Sequence, residues 1–407
     1  MNKQTYDYDV VIVGAGIIGL TLACSLINAG LRIAILDKNN LNLNSIPNKT
    51  YELRVSSITL GSQRVFENFQ VWQKLAKTSL SSFQCIEVWE RASALHLLFD
   101  AAEIGQPHLG TIIKNRDLQL ELISQVRTAS DLDWFSPDSL ISVEYNDIAC
   151  VLTLASQQTI TTQLVVGADG AQSSVRELAG ILSRKYDYFQ QAIVATVQTE
   201  KKHDQIARQI FLPRGPLAFL PLTDPYHCSI VWSTTYEEVE KLKTLTDELF
   251  CLALATAYEQ HLGKIASTSK RLSFPLKAQQ SEQYIKSGIA LIGDAANTIH
   301  PLAGQGANLG IADAVCLANV ILEAKRKQRS LGALHTLRRF ERSRRFHRRL
   351  MGGGIDLIKQ TFATKNPFLK NTRQFSLGLL EKTPWLKNYF MQYAMGNPTI
   401  ESLKSFF

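Results

Sequence analysis

Short apolar runs alternate along the chain with amphipathic segments, and this pattern predicts a mixed α/β protein. Residues Tyr8–Val13 form a nearly continuous apolar run, residues 21–29 have helical periodicity, and Arg32–Leu36 forms a second apolar run. Two later apolar runs, at Gln163–Gly170 and Ile289–Ile292, end beside small residues and an acid. Runs of this length are typical of buried strands, so we expect a sheet whose strands are connected through helices.

The middle of the chain has a different pattern. Residues 83–99 alternate well enough to predict two strands, and residues 193–274 are rich in strand signals that one predicted helix, Glu237–His261, interrupts. We also predict an amphipathic helix at Ser62–Leu75 and a long helix from Ala307 to about Lys327. The patterns together predict a discontinuous α/β domain, a sheet domain and a helical C-terminal region, with boundaries at 1–82, 100–182 and 275–345, at 83–99 and 183–274, and at 346–407.

A glycine motif, GAGIIG, follows the first predicted strand at residues 14–19. Gly14 allows the tight turn, Gly16 lets a pyrophosphate approach the backbone, and Gly19 lets helix and strand pack closely. Asp37, at the end of the second strand, is placed to accept hydrogen bonds from ribose hydroxyls. Because strand, helix, second strand and acid all agree, the segment predicts a dinucleotide site, and its N-terminal position favours FAD over NAD.

The stretch Ser287–Asp313 combines a buried strand, a loop with glycines and the start of a helix. Asp294 follows the strand, Gly304 and Gly306 lie in the loop, and the helical pattern begins at Ala307. This order brings backbone N–H groups against an electron-rich ligand, and an acid at the end of a parallel strand lies in the ligand crevice. The alternative is an ordinary strand–loop–helix connection in which glycine serves only the turn.

Several further side chains are candidates for the site. Arg54 is a candidate cofactor ligand, because an arginine near a pyrophosphate pairs with it bidentately; a surface charge is the alternative. Asn115 is a further candidate cofactor ligand. His300, next to Pro301, is a candidate acid–base group, with a hydrogen-bonded loop histidine as the alternative. Phe219 is predicted to face the substrate, although a core position is the commoner fate of such residues.

The composition of the chain mainly excludes certain classes of protein and of site. The 407 residues are 45% hydrophobic and 20% charged, which is typical of a globular protein with a large core. The N-terminus leads directly into a strand, and no apolar run approaches the ~20 residues of a membrane helix, so we expect neither a signal peptide nor a membrane span. The six cysteines have no metal-ligand spacing. We therefore expect reduced thiols, a cytoplasmic protein, no metal and no nucleic-acid partner.

Three motifs in this order resemble the signature of the group A flavin-dependent aromatic hydroxylases: GxGxxG, then GADG at 167–170, then GDAAN…HPLAGQGANLG at 293–310. The resemblance implies the α/β fold of that group, with a Rossmann-like FAD-binding domain interleaved with a substrate-binding sheet domain. It implies that backbone N–H groups at Ala307 and Asn308 face the flavin pyrimidine carbonyl. It further implies that Asp294 binds the ribityl and pyrophosphate region and that Asp169 serves flavin and pyridine-nucleotide binding. Asn297 stands where this family commonly has histidine.

Within that group the chain is most similar to the hydroxylases of ubiquinone biosynthesis, through LRVSSI, AFLPLTDPYHCSIVW and QYAMG. Residues 193–211 resemble the members that hydroxylate C5 of a polyprenylphenol, whereas FDAAEIGQPHLG resembles the enzyme that acts at C6. The resemblance implies an FAD enzyme that uses NAD(P)H transiently and transfers oxygen from O₂, through a C4a-hydroperoxyflavin, to a polyprenylphenol or polyprenylquinol. C6 and C1 are alternative ring positions. An amine or alcohol oxidase and a non-catalytic prenyl-lipid-binding module are the alternative classes.

A basic stretch precedes the apolar C-terminal segments, and seven arginines and one glutamate lie between Arg338 and Arg349. Anionic lipid attracts such residues by about 1 kcal/mol each, so we expect peripheral contact with the inner face of the membrane. The alternatives are a solvated helix face, arginines paired with acids inside the fold, and a docking surface for other ubiquinone-biosynthesis proteins. The residues concerned are Arg338, Arg339, Arg342, Arg344, Arg345, Arg348 and Arg349, followed by Phe368, Leu369, Trp385, Leu386, Phe390 and Met391.

Overall fold

The computed structural model describes residues 6–41, 54–93, 96–146, 148–298 and 305–345, together with residues 388, 391 and 395. Within these residues the strands form three sheets. The strands are β1 (Tyr8–Val13), β2 (Ile33–Leu36), β3 (Val55–Thr59), β4 (Leu80–Phe83), β5 (Cys85–Glu90), β6 (His96–Asp100), β7 (Gly110–Lys114), β8 (Leu132–Phe135), β9 (Leu140–Tyr145), β10 (Cys150–Leu154), β11 (Thr159–Gly167), β12 (Ser183–Thr199), β13 (Ile206–Leu212), β14 (Gly215–Pro221), β15 (His227–Thr235), β16 (Ile265–Thr268), β17 (Leu272–Ser281), β18 (Ile285–Lys286), β19 (Ile289–Leu291) and β20 (Asn297–Thr298). The helices are α1 (Ile17–Leu26), α2 (Leu60–Asn68), α3 (Asn115–Val126), α4 (Ser174–Leu178), α5 (Tyr236–Thr244), α6 (Asp247–Ala257) and α7 (Gln305–Arg326), and residues 334–345 are also helical.

The first sheet has the strand order β18-β19-β11-β1-β2-β8, with β10 beside β11 and β9 beside β10. Strands β19, β11, β1, β2 and β8 run parallel. Val10, Val11 and Ile12 have no exposed surface, as expected for a strand buried on both faces. Helix α1 packs against α3 and α7. The predicted buried strands of the nucleotide-binding region are therefore confirmed, and their carboxyl ends lie at one edge of the sheet.

The second sheet has the order β20-β17-β12-β15-β14-β13-β5-β6, with β16 beside β12. Its strands come mainly from residues 85–100 and 183–281. The division into domains at the boundaries given above stays a prediction. One face of this sheet packs against α5 and α6 around Trp89, Phe250 and Tyr258.

The single helix predicted at Glu237–His261 is wrong, because the structure has two helices there. Helix α5 ends before Leu245, whose backbone is extended. Thr246 then caps α6, and its side chain accepts a hydrogen bond from the Leu249 backbone N–H at 3.3 Å. A threonine at this position satisfies one of the free donors of a helix start, so it begins a new helix instead of continuing the old one.

The third sheet has the order β3-β7-β4. Helix α2 follows β3 and ends at Asn68, so the helix predicted over Ser62–Leu75 is too long at its C-terminal end. Gln70 has a φ of 58°, which interrupts the helix, and a separate 3₁₀ turn follows at Trp72–Lys74. The amphipathic pattern continues across this break because both segments face the same core.

Helix α7 crosses the core of the first domain. Its residues 306–326 are long and apolar enough to span a membrane. An 18-residue stretch within them has a mean hydropathy of 1.4, and half of that stretch is buried within the fold. Ile311, Ala314 and Leu317 pack into the core, and Asp313 lies among them with no exposed surface. The packing is that of a core helix of a globular domain.

Candidate functional site

Three strands of the first sheet end side by side. The Ala168 backbone N–H, just after β11, donates to the carbonyl of Val13 at the end of β1, at 2.8 Å. The Ile292 N–H, just after β19, donates to the carbonyl of Gly167 at 3.0 Å. The glycine motif, the GADG segment and the GDAAN segment therefore begin next to one another at the edge where parallel sheets bind ligands.

The three motif glycines have different physical roles. Gly14 has a φ of 108°, and a Cβ there would lie 2.5 Å from the Ala168 carbonyl oxygen. A Cβ on Gly19 would lie 1.9 Å from the carbonyl oxygen of Gly14. A Cβ on Gly16, in contrast, would meet no atom of the described residues within 4 Å. Packing thus requires Gly14 and Gly19, whereas Gly16 borders open space of the kind that a pyrophosphate needs.

Asp37 holds the glycine loop in place. Its Oδ2 accepts a hydrogen bond from the Ala15 backbone N–H at 2.7 Å, and its Oδ1 accepts one from the Asn39 N–H at 2.8 Å. The Gln119 side chain, on α3, donates to the Ala15 carbonyl at 2.7 Å. Sequence analysis did not identify Gln119, since a polar residue on an exposed-looking helix face has no motif. Ribose binding by Asp37 stays a prediction.

Arg54 and Asn115 lie together at the end of the third sheet. The Asn115 backbone N–H donates to the Arg54 carbonyl at 3.1 Å, and Arg54 is exposed. The Asn115 side-chain oxygen is buried and has no hydrogen-bond partner among the described residues. An unpaired buried oxygen costs about 1–3 kcal/mol, so this position fits a ligand that brings a donor.

Asp169 lies five residues before helix α4 and holds the start of that helix. Its Oδ2 accepts hydrogen bonds from the backbone N–H groups of Ser174 and Val175, at 2.7 and 3.2 Å. Its Oδ1 is buried and, within the described part of the chain, has no partner. The carboxylate is therefore held by one oxygen while the other is left for a ligand.

Arg176 connects two of the loops. Its guanidinium is buried and donates to the carbonyl of Ala295 at 2.9 Å and to that of Ala171 at 2.8 Å. Burial lowers the pKa of Arg176, and the charge of neighbouring Asp169 opposes that shift. The residue thereby fixes the GADG and GDAAN segments relative to each other, a role that sequence analysis missed.

The GDAAN segment is anchored from below by Asp313. The Gly293 backbone N–H donates to Asp313 Oδ2 at 3.0 Å, and Arg344 Nε donates to Asp313 Oδ1 at 2.6 Å. Asp294, beside Gly293, is exposed. The anchor leaves the Asp294 side chain at the surface of the cleft, where the prediction needs it. Sequence analysis missed this role of Asp313. The signal that could have identified it is an acid among the apolar positions of a predicted helix.

Helix α7 starts at Gln305, so the backbone N–H groups of Gly306, Ala307 and Asn308 belong to its first turn. Such groups have no partner within the helix and carry the positive end of its dipole. The Asn308 side chain accepts from the Thr59 N–H at 3.0 Å and donates to the Ser57 carbonyl at 2.8 Å. The helix start is thus fixed against β3. The predicted contacts to a flavin carbonyl stay a prediction.

The candidate Phe219 needs correction. Its side chain is 1% exposed, and its ring stacks on that of Tyr258 with 3.8 Å between centroids. It belongs to the core between the second sheet and helices α5 and α6, so the core alternative is the correct one. The neighbouring residues Ala218 and Leu220 point to the opposite face. His300, Pro301 and Gly304 lie outside the described residues.

The basic stretch needs a second correction. Arg344 is 1% exposed and pairs with Asp313, and Arg339 pairs with Glu323 at 2.6 Å. Arg345 pairs with Glu341 at 3.2 Å. Pairing with acids therefore applies to these three arginines, in the core for Arg344 and at the surface for Arg339 and Arg345, and lipid contact by the rest of the stretch stays a prediction. Met391 is also buried, against a cluster that includes Leu60 and Phe83, while Arg348, Arg349 and the rest of the predicted apolar tail lie outside the described residues.

Comparison with known proteins shows the family. A family model described as an FAD binding domain matches residues 7–349. The chain is 31% identical to the 3-demethoxyubiquinol 3-hydroxylase of Escherichia coli, over 95% of this chain and 98% of that protein. It is 34% identical to the ubiquinone hydroxylase UbiL of Rhodospirillum rubrum, over 95% of this chain and 89% of that protein.

Solved structures support the fold. The p-nitrophenol 4-monooxygenase PnpA of Pseudomonas putida superposes with a TM-score of 0.76 at 13% identity, covering 95% of this chain and 98% of that one. PqsL of Pseudomonas aeruginosa, a probable FAD-dependent monooxygenase, superposes with a TM-score of 0.73 at 21% identity, covering 91% of this chain and 99% of that one. The predicted fold of a Rossmann-like domain interleaved with a sheet domain is confirmed.

Proposed function

This chain belongs to the FAD-binding family of flavin-dependent aromatic monooxygenases, and from that premise we propose that it hydroxylates the ring of a polyprenylphenol intermediate in ubiquinone biosynthesis. The observation that carries the proposal is the 31% identity that extends over 98% of a 3-demethoxyubiquinol 3-hydroxylase. The aligned region covers nearly the whole chain, so it spans both the cofactor loops and the second sheet.

The cofactor is FAD, and the residues at the sheet edge fit it. The open space at Gly16 would accommodate the pyrophosphate, and the unpaired buried oxygens of Asn115 and Asp169 would accept hydrogen bonds from hydroxyl groups of FAD, such as those of its ribityl chain. The first-turn N–H groups of α7 would stabilise negative charge on the isoalloxazine ring. When reduced by NAD(P)H, the flavin supplies the activation of O₂ and the oxygen transfer. The protein binds the flavin, orients the substrate ring and excludes water.

The substrate side of the second sheet supports an apolar ligand. Val194, Val231 and Ala218 lie directly opposite one another on β12, β15 and β14. They occupy the face that points away from helices α5 and α6, and Val231 and Ala218 are only half-buried. Leu220, on the same face, packs toward the cluster that contains Leu60 and Phe83. A prenylated phenol needs a pocket lined in this way.

For the ring position we propose C5, on the resemblance of residues 193–211 to the members of the family that act there. C6 and C1 are the alternatives. The test is mass analysis of quinone intermediates in a strain that lacks this protein. Accumulation of 2-polyprenylphenol supports C5, whereas accumulation of a later, already methoxylated intermediate identifies another carbon. An unchanged quinone profile contradicts the pathway assignment.

The reaction type has its own test. With ¹⁸O₂ the hydroxylated ring should gain one labelled oxygen atom, and label from H₂¹⁸O should stay out of the product. NAD(P)H oxidation should accelerate when a polyprenylphenol is added, which distinguishes this activity from that of an oxidase.

We further propose that the protein works at the inner face of the membrane and with other proteins of the pathway. The substrate inferred here carries an isoprenoid tail and resides in the bilayer, so the enzyme has to reach the surface or receive substrate from a partner. Of the basic stretch, Arg338 and Arg342 are exposed and one helical turn apart, which makes them the described residues suited to either contact.

A further inference from the structure

Two histidines and a glutamate that are far apart in the sequence meet on the second sheet. His96 Nδ1 lies 2.8 Å from Glu87 Oε1, and His261 Nε2 lies 3.7 Å from the same oxygen. The three ligand atoms all lie within 4.8 Å of one another. Glu87 is on β5, His96 begins the neighbouring strand β6, and His261 follows helix α6. The cluster is separate from the loops assigned to FAD.

Aromatic packing holds both imidazoles. The ring of Trp89 stacks on His96 with 5.1 Å between centroids and an interplanar angle of 5°. Its centroid is 4.9 Å from that of His261. The Trp89 indole N–H donates to Glu259 at 3.2 Å, so Trp89 is itself fixed. The two histidines therefore share one rigid wall, which reduces the cost of bringing them onto a common ligand.

Glu87 is oriented as a single-oxygen ligand. Arg208, with a side chain that is only 9% exposed, donates through Nε to Glu87 Oε2 at 2.9 Å. The second oxygen, Oε1, faces the histidines. Hydrogen bonds of this kind from surrounding residues fix the geometry of metal-ligating carboxylates. The charge of Arg208 also opposes a nearby cation, so we expect binding weaker than that of a closed structural zinc site.

We propose that Glu87, His96 and His261 bind one divalent transition-metal ion, with Zn²⁺ as the ion that this donor set fits. Two imidazole nitrogens and one carboxylate oxygen, with further positions open to water, is a known zinc ligand set. The His96 and His261 side chains are 31% and 36% exposed, so an ion has access and water completes its coordination. The ion replaces the proton shared by His96 Nδ1 and Glu87 Oε1.

The ion has a structural consequence. Strand β6 is the last strand of the second sheet, paired only with β5 on the described path. A metal bound to His96 and His261 ties this edge strand to the segment after α6. Ion binding to the folded state alone raises stability by mass action, so the site makes the second sheet harder to unfold when Zn²⁺ is present. The scattered cysteines had predicted no metal site, and the ligands here are histidines and a glutamate at unrelated spacings.

The test uses the FAD-loaded full chain with Zn²⁺ as the probe. We compare wild type with His96→Gln and His261→Gln, and with His335→Gln as a control, because His335 is an exposed histidine outside the cluster. Glutamine at position 96 can still donate a hydrogen bond to Glu87, glutamine at position 261 keeps a polar side chain there, and flavin content verifies that each variant is folded. Bound zinc is measured by competition with a chelator, and thermal unfolding is measured with Zn²⁺ and with EDTA.

The expected result is one Zn²⁺ per chain in wild type and in His335→Gln, with a rise in Tm of about 2 °C or more over the EDTA sample. Both His96→Gln and His261→Gln should lose at least tenfold in Zn²⁺ affinity together with the rise in Tm, as loss of a ligand predicts. Equal zinc binding by wild type and both cluster variants, or no binding by wild type, overturns the proposal and leaves a hydrogen-bonded polar network.

Discussion

Arg344 and Asp313 form an ion pair in the core, with Nε 2.6 Å from Oδ1 and each side chain 1% exposed. The other carboxylate oxygen of Asp313 accepts the backbone N–H of Gly293, the residue before Asp294. Arg344, which lies 31 positions after Asp313, thus helps to fix the start of the loop that is assigned to the flavin. The pair couples the helical residues 334–345 to the cofactor site.

The first prediction follows from that coupling. Arg344→Met leaves the Asp313 carboxylate buried without its cation, so the free energy of unfolding should fall by about 3–5 kcal/mol, and FAD should dissociate faster. Arg342→Met, two residues away and exposed, should change stability by no more than about 0.5 kcal/mol. Urea unfolding of the FAD-bound proteins measures both. Equal stability of the two variants would contradict an anchoring role.

A second prediction separates cofactor binding from folding. Gly16→Val places a branched side chain in the open space left for the pyrophosphate, so the protein should fold but lose at least about tenfold in FAD affinity, equivalent to 1.4 kcal/mol. Asp294→Ala should do the same by removing an exposed acceptor. Gly19→Val, whose Cβ would lie 1.9 Å from the Gly14 carbonyl oxygen, should yield little soluble protein. The readouts are the flavin-to-protein absorbance ratio and the circular dichroism of each variant.

Retention of a full complement of FAD by both Gly16→Val and Asp294→Ala would show that the cofactor site has been placed wrongly. A Gly19→Val protein as soluble as wild type would instead show that the helix tolerates a side chain against the glycine loop.

The cofactor edge could be predicted from the sequence because its signals are local. Gly14, Gly16 and Gly19 lie in one short segment, and each glycine answers a backbone requirement that can be stated without the rest of the fold. Asp169 and Asp294 follow apolar runs, and parallel strands bring such ends to one edge. The pattern therefore predicted both the elements and their meeting point.

The residues that sequence analysis missed or misplaced depend on distant partners. Phe219 lies on β14, where Leu217, Ala218, Phe219 and Leu220 are all apolar, so alternation does not say which face meets helices and which meets a cavity. Arg344 looked like part of a charged face because its acid is on another helix. Glu87, His96 and His261 had no motif because strand pairing and helix packing bring them together.

A third prediction concerns pH. Hydrogen bonds from Arg339 and Lys327 lower the pKa of Glu323 from 4.5 to about 2. Since the pKa in the folded state is below the unfolded value, the stabilisation is complete above pH 4.5 and is lost as the pH falls toward 2. Glu323→Gln should therefore be less stable than wild type at neutral pH, and the difference should shrink below pH 4.5. Urea unfolding across this range measures it, and a difference that widens in acid would contradict the assignment.

The last prediction tests whether the remaining basic surface meets lipid. Arg344 is paired in the core, so changing it would report on folding and not on the membrane, and Arg339 and Arg345 are paired with acids of their own or a neighbouring helix, which partly neutralises their charge. Arg338 and Arg342 are exposed, and at about 1 kcal/mol each their replacement by Gln should weaken binding to anionic vesicles by roughly 30-fold, more at low salt than at high salt.

Charge alone has to be separated from position in that experiment. The double variant Arg184→Gln/Arg214→Gln loses the same charge from the second sheet, where these side chains are 85% and 60% exposed. In sedimentation with anionic vesicles it should bind like wild type, and neither variant should matter with neutral vesicles. Equal loss in both double variants would mean that net charge and not this helix attracts the protein. No binding by wild type would remove the lipid contact and leave the same arginines as a surface for a protein partner, because a substrate that stays in the bilayer then has to be delivered.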